Sequence, residues 1–123
     1  MGLFGKSKKE REAEYMSKIN VGECIKQNFE MTVDEIFTII GTGTVVTGTI
    51  SSGMCSIGDS AQINSNGNLT ETTITGIDVH TKERKPNGHA YCGEHAGLAL
   101  REIAREQINK GDIIMIRNAY QHN

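Results

Sequence analysis

The chain has 123 residues, 23% of them charged and only 5% aromatic, with a formal net charge of −2 and no tryptophan. That length allows one small domain whose core must be assembled from Ile, Val, Leu, Met and Ala. No apolar run is long enough to cross a bilayer and no secretory leader pattern opens the chain, so the composition predicts a cytoplasmic protein with no membrane contact. Residues Met1 to Ser7 approach a myristoylation signal, but Lys6 stands where Ser or Thr is required and Ser7 falls one place late. Cys24, Cys55 and Cys92 are an odd, sparse set and read as reduced thiols. Before Phe29 six basic residues face four acidic ones, whereas the remainder carries seven against eleven. An acidic body is poorly suited to nonspecific nucleic-acid binding, which needs several phosphates neutralised.

Residues 1–28 read as a charged N-terminal extension. Lys6 to Lys18 mixes charges with Ala13, Tyr15 and Met16, a pattern predicting a short exposed helix with Glu14 and Lys18 in the favourable i,i+4 order. It reads either as a solvated, partly frayed tail or as a docking helix or weak surface anchor using Leu3 and Phe4. From Phe29 the period changes to two: Phe29, Met31 and Val33 alternate with Glu30, Thr32 and Asp34, as in a half-buried strand. Continuing that phase turns Glu35 inward before Phe37 and Ile39 resume the apolar face. Either a bulge sits there or a carboxylate faces a pocket.

The run Phe37 to Ile50 places two β-branched stretches around Gly41-Thr42-Gly43, which predicts a hairpin. Gly48 inside the second stretch leaves room for a close approach. Ser51 to Gly53 reads as a turn, Gly58-Asp59 as another, and Ser60 to Ser65 as a strand with Ala61 and Ile63 on one face. Asn66-Gly67 favours a tight hairpin into a Thr-rich strand, Thr70 to His80. The apolar phase of that strand shifts across Gly76, which suggests a bulge or a bend at a barrel corner. Lys82 to Gly88 is a charged loop, Ala96 to Arg101 a strand with one polar face, and Arg105 to Asp112 a short turn. Ile113 to Ile116 is apolar throughout and is expected to be covered on both sides. Short strands at regular spacing, with no long helical period among them, predict an all-β fold: a small closed antiparallel barrel.

The segment Val33 to Ile39 followed by Gly41 to Gly48 resembles the second domain of elongation factor Tu and of related translational GTPases. Ser56 to Asp59, Thr72 to Ile77, Gly93 to Arg101 and Ile108 to Ile113 agree with that family in order. The resemblance covers residues 29–118, leaving 119–123 as a C-terminal tail, and implies a Greek-key-like β-barrel. In that family a GTPase domain precedes the module. The 123 residues hold no Gly-x-x-x-x-Gly-Lys-Ser/Thr, so we expect no GTP binding, no cofactor and no enzymatic activity. The resemblance implies a noncatalytic translation-related module contacting the aminoacyl 3′ end of tRNA or a translation factor. The competing expectation is a protein-interaction adaptor or a self-associating barrel unrelated to tRNA.

Carried over by the resemblance, the binding residues are Asp34, Glu35, Phe37, Thr47 and His95. His95 stands where the family has a pocket asparagine, and Thr42 and Thr49 where hairpin arginines are common, which removes positive charge from that face. From the residues themselves, Asp34 and Glu35 read either as acceptors for an ammonium group or as charges guarding a strand edge. Phe37 and Thr47 read as core or cross-strand packing, and Arg101 as an ion-pair partner of Glu35 or Glu102 or as a residue closing the barrel end, with a structural ion pair the expectation. His89, Cys92 and His95, with His80 upstream, have a suggestive spacing for zinc. Structural zinc takes four ligands in tighter paired motifs, so a polar loop is the expectation. Cys55 and Cys92 lack a neighbouring group that would activate a thiol and read as small buried hydrophobes.

Overall fold

The structure is a computed structural model that describes residues 7–117. Leu3, Phe4, the near-myristoylation sequence and the 119–123 tail lie outside the described residues. Helix α1 spans Lys8–Ile19 and begins at a capping box: Glu10 N–H donates to Ser7 Oγ (3.2 Å) and Ser7 N–H to Glu10 Oε1 (3.1 Å). Asn20, left-handed at φ 57°, ends α1 and caps α2, Val21–Lys26. The extension is anchored to the barrel, contrary to a solvated tail. Tyr15 Oη donates to Glu94 Oε2 at 2.7 Å, Lys85 N–H donates to Glu12 Oε2 at 2.6 Å, and Cys24 is buried.

The strands are β1 Phe29–Thr32, β2 Glu35–Ile39, β3 Gly43–Ser52, β4 Met54–Ser56, β5 Ser60–Ser65, β6 Asn68–Val79, β7 His89–Tyr91, β8 His95–Leu100 and β9 Ile113–Ile116. Six of them close an antiparallel barrel in the order β1-β9-β5-β6-β8-β3, and the pairing of β3 with β1 completes the circuit. Strand β2 continues beside β3 above β1, and β4 pairs with β7 as a separate ribbon. The core is mostly aliphatic: Met31, Ile50, Ile63, Ile74, Leu98 and Ile114 are fully buried, together with the aromatic ring of Phe29. Closure requires Gly48. A Cβ there would sit 2.1 Å from the Thr32 carbonyl oxygen, so the two backbones touch where only glycine fits.

The expected hairpins form, with Asn66 (φ 53°) and Gly67 (φ 88°) both left-handed between β5 and β6. The register shift between Ile74 and Gly76 against β8 is the bulge read from the phase of that strand. Two expectations of burial change. In β8, Gly97 and Ala99 are buried as well as Ala96, Leu98 and Leu100; over Gly97 the side chains of Val45, Thr47 and His80 close in. In β9 only Ile114 is fully buried, and its neighbours are half-buried.

The phase expected for Glu35 is also corrected. The chain leaves β9 for β3 at Val33-Asp34: Val33 N–H donates to Asp112 O and Gly111 N–H to Val33 O, each at 2.8 Å, whereas Asp34 N–H donates to Thr47 O at 2.7 Å. That change of partner resets the alternation. Val33 and Ile36 point into the core, while Glu35, Phe37 and Ile39 are exposed.

A candidate binding face on the outside of the barrel

Residues directly opposite in paired strands share a face. In register, Glu35 lies opposite Thr47, Thr47 opposite Gly97, and Gly97 opposite Asp78. One row along, Phe37, Val45, Ala99 and Gly76 align. One row the other way, Thr49 lies opposite His95, whose carbonyl accepts from His80 N–H at 2.9 Å. These rows form an outward face on β2, β3, β8 and the end of β6.

Three of the expected binding residues meet there. His95 Nε2 lies 3.2 Å from Asp34 Oδ2, and Thr47 occupies the adjacent row beside Gly97. Gly97 lets its neighbours close over the strand: a Cβ there would stand 3.6 Å from Val45 Cγ1 and 3.7 Å from both His80 Nε2 and Thr47 Cγ2, so the His80 imidazole leans across the buried glycine toward Thr47. Glu35 shares the row of Thr47 but pairs with Lys110, whose Nζ is 3.3 Å from Oε2, rather than with Arg101. Phe37 lies opposite Val45 yet is 47% exposed, so it is not a core residue.

His80 was missing from the expected set as a binding residue. Its signal is the bulge at Gly76, which turns Ile77 and Val79 inward and therefore Asp78 and His80 outward. His80 Nδ1 is 2.6 Å from His95 Nδ1, with the two ring centroids 4.8 Å apart, and His80 Nε2 is 3.6 Å from Asp78 Oδ2. A chain of four side chains thus runs Asp34, His95, His80, Asp78 across the face.

The other groups noted for metal or nucleophilic chemistry go elsewhere. His89 Nδ1 bonds Ser56 Oγ at 2.6 Å, and Cys92 Sγ contacts Ser51 O at 3.5 Å, so neither joins His95. Among the described residues, no three or more His, Cys, Asp and Glu side chains converge as metal ligands. All three cysteines are free thiols, and burial pushes the Cys55 thiol up to about 12, which keeps it protonated at neutral pH.

A second polar cluster is sealed inside. Glu94 and Arg84 side chains are each 2% exposed and meet in a two-pronged ion pair, Nε to Oε2 at 2.7 Å and Nη2 to Oε1 at 2.9 Å. Tyr15 Oη and Tyr91 N–H also donate to Glu94, and the Arg84 guanidinium donates to the carbonyls of His89 and Lys85 and to Asn87. Burial pushes the Glu94 carboxyl up. The Arg84, Tyr15 and Tyr91 hydrogen bonds outweigh it and hold the group below its usual value. Burial, reinforced by the Glu94 carboxylate, raises the Tyr15 phenol.

No helix among the described residues is long and apolar enough to cross a membrane. The family model described as elongation factor Tu domain 2 matches residues 43–115, from the start of β3 to β9, and so takes in every strand of the closed barrel except β1. With more than half of its length matched and the barrel in place, the chain belongs to the elongation factor Tu domain 2 family and is a translation-factor-like module.

Proposed function

We propose that the barrel is a noncatalytic binding module that takes the aminoacyl 3′ end of tRNA on the face formed by Asp34, Thr47 and His95. The observation that carries this reading is the 3.2 Å contact of Asp34 with His95 on the outward face, one row from Thr47, which is itself buried beside Gly97. Asp34 offers a carboxylate to an α-ammonium group and Thr47 a hydroxyl to an ester carbonyl. His95 can donate or accept beside them. Thr42 and Thr49 stand where hairpin arginines are common, and Lys110 is paired with Glu35, so phosphate contacts are expected to contribute little and selectivity to rest on the aminoacyl group.

A titration comparing charged with uncharged tRNA at two salt concentrations tests this. Preference for the charged form, with a shallow salt slope, supports the reading. Equal affinity, or no binding of either, contradicts it.

A second reading rests on the edge strand β2. Among the described residues its strand partner is β3, and Phe37, Ile39 and the fully exposed Ile40 (101%) stand together at its end. An exposed apolar cluster at a strand edge suits a protein partner. A photo-crosslinker at position 40 that captures a translation factor, in a protein that binds no tRNA, would favour this adaptor role.

A further inference from the structure

We propose that His80 and His95 form a two-imidazole site for a borderline divalent transition ion of the Zn²⁺, Ni²⁺ and Cu²⁺ class. The argument begins with what each nitrogen faces. A carboxylate only accepts hydrogen bonds, so His95 Nε2, 3.2 Å from Asp34, is the nitrogen that carries hydrogen. His80 Nε2 has Asp78 at 3.6 Å, too long for a hydrogen bond, but the nearby carboxylate charge favours hydrogen on that nitrogen. Both Nδ1 atoms then face each other across 2.6 Å, with room for one proton between them. For His95 this is the arrangement of a metal-binding histidine: one nitrogen anchored through N–H to a carboxylate, the other presenting its lone pair.

A divalent ion takes the place of the hydrogen between the two Nδ1 atoms, which leaves to water. Bonds of about 2.0–2.1 Å separate two ligand nitrogens by roughly 2.9 Å at a right angle and roughly 3.3 Å at the tetrahedral angle. The present 2.6 Å must therefore open by only a few tenths of an ångström at the least, which ring rotation on two side chains 38% and 41% exposed readily supplies. The same exposure lets water complete the coordination. Asp34 and Asp78 place two negative charges behind the rings, which favours a cation, and imidazole nitrogen selects this class over Mg²⁺ and Ca²⁺. The site needs only groups of this chain, and it shares His95 and Asp34 with the proposed aminoacyl face, so its test is made without RNA.

The test is a calorimetric titration of the full, untagged protein with Zn²⁺ in the absence of RNA, repeated with Cu²⁺ and read by electron paramagnetic resonance. One ion per chain is expected, with a two-nitrogen superhyperfine pattern. His95→Asn and His80→Gln should each abolish the two-nitrogen signature, whereas His89→Gln and His122→Gln leave affinity unchanged. Asp34→Asn, which removes the anchor but neither ligand, should weaken Zn²⁺ binding by about tenfold or more. Absence of Zn²⁺ binding, binding that survives both His80→Gln and His95→Asn, or equal uptake of Mg²⁺ would each overturn the proposal.

Discussion

Glu94 and His95 are neighbours in the chain, yet they serve two polar clusters of opposite character. Glu94 turns into a closed network in which the Arg84 guanidinium and the Tyr15 phenol are committed to partners, and both charged side chains are cut off from solvent. His95 turns to the outside, where its partners Asp34 and His80 are both substantially exposed and the contacts are few. The first cluster ties three pieces together: helix α1, the 81–91 loop and the start of β8. The second ties nothing that the strands do not already hold. A buried pair costs much to break, because removing one partner strands the other charge. A half-exposed one can be broken cheaply, and by the same token it is available to a ligand.

The largest effect expected is at the sealed cluster. Glu94→Ala should destabilise the fold by about 3–5 kcal/mol in urea unfolding, because Arg84 would be left buried without its carboxylate. A loss under about 1 kcal/mol would mean that water reaches the guanidinium. The pH dependence follows from the same group. Its folded pKa is depressed, so its stabilisation is complete above the unfolded value of about 4.5 and is lost as pH falls through the lower folded value. Unfolding midpoints measured downward from pH 5 should fall in the native chain, and less steeply in Glu94→Gln.

Next in size is Gly48→Ala, in β3, where the barrel closes on β1. Its Cβ meets the Thr32 carbonyl, a backbone atom that cannot swing away, and a cost of about 3 kcal/mol is expected in the same assay. Tyr15→Phe removes one hydrogen bond to Glu94 from a helix with no buried residue of its own, at a cost of about 1 kcal/mol. Its sharper signature is faster amide exchange confined to α1. Smallest is His95→Asn, expected to shift stability by no more than about 0.5 kcal/mol, since it lies on the open face. A loss as large as that of Glu94→Ala would erase the distinction between the two clusters.

Much of the barrel was legible because it rests on local signals. The alternation of Phe29, Met31 and Val33, the Asn66-Gly67 turn and the phase shift at Gly76 each correspond to a feature of the backbone. Gly48 announced a close approach without saying to what, and Thr32 lies sixteen residues away in sequence. At Glu35 the pattern left two alternatives, a break in the alternation or an inward carboxylate, and the break is what forms, because the chain changes hydrogen-bonding partner at Val33-Asp34. The family motif brought Asp34, Thr47 and His95 to attention, and the strand register brings them together. The Tyr15–Glu94–Arg84 network could not be read in advance, since it joins residues up to 79 positions apart through side chains that are individually unremarkable.

The contrast between a sealed cluster and an open one comes to a single test on the outer face. The probe is a hydrolysis-resistant 3′-aminoacylamino-adenosine, followed by backbone amide shifts of the whole chain. The account predicts saturable shifts centred on Asp34, Thr47, His95 and Gly97, weakened in His95→Asn and absent with adenosine alone. Shifts confined to Phe37, Ile39 and Ile40, or none at any concentration, would contradict it.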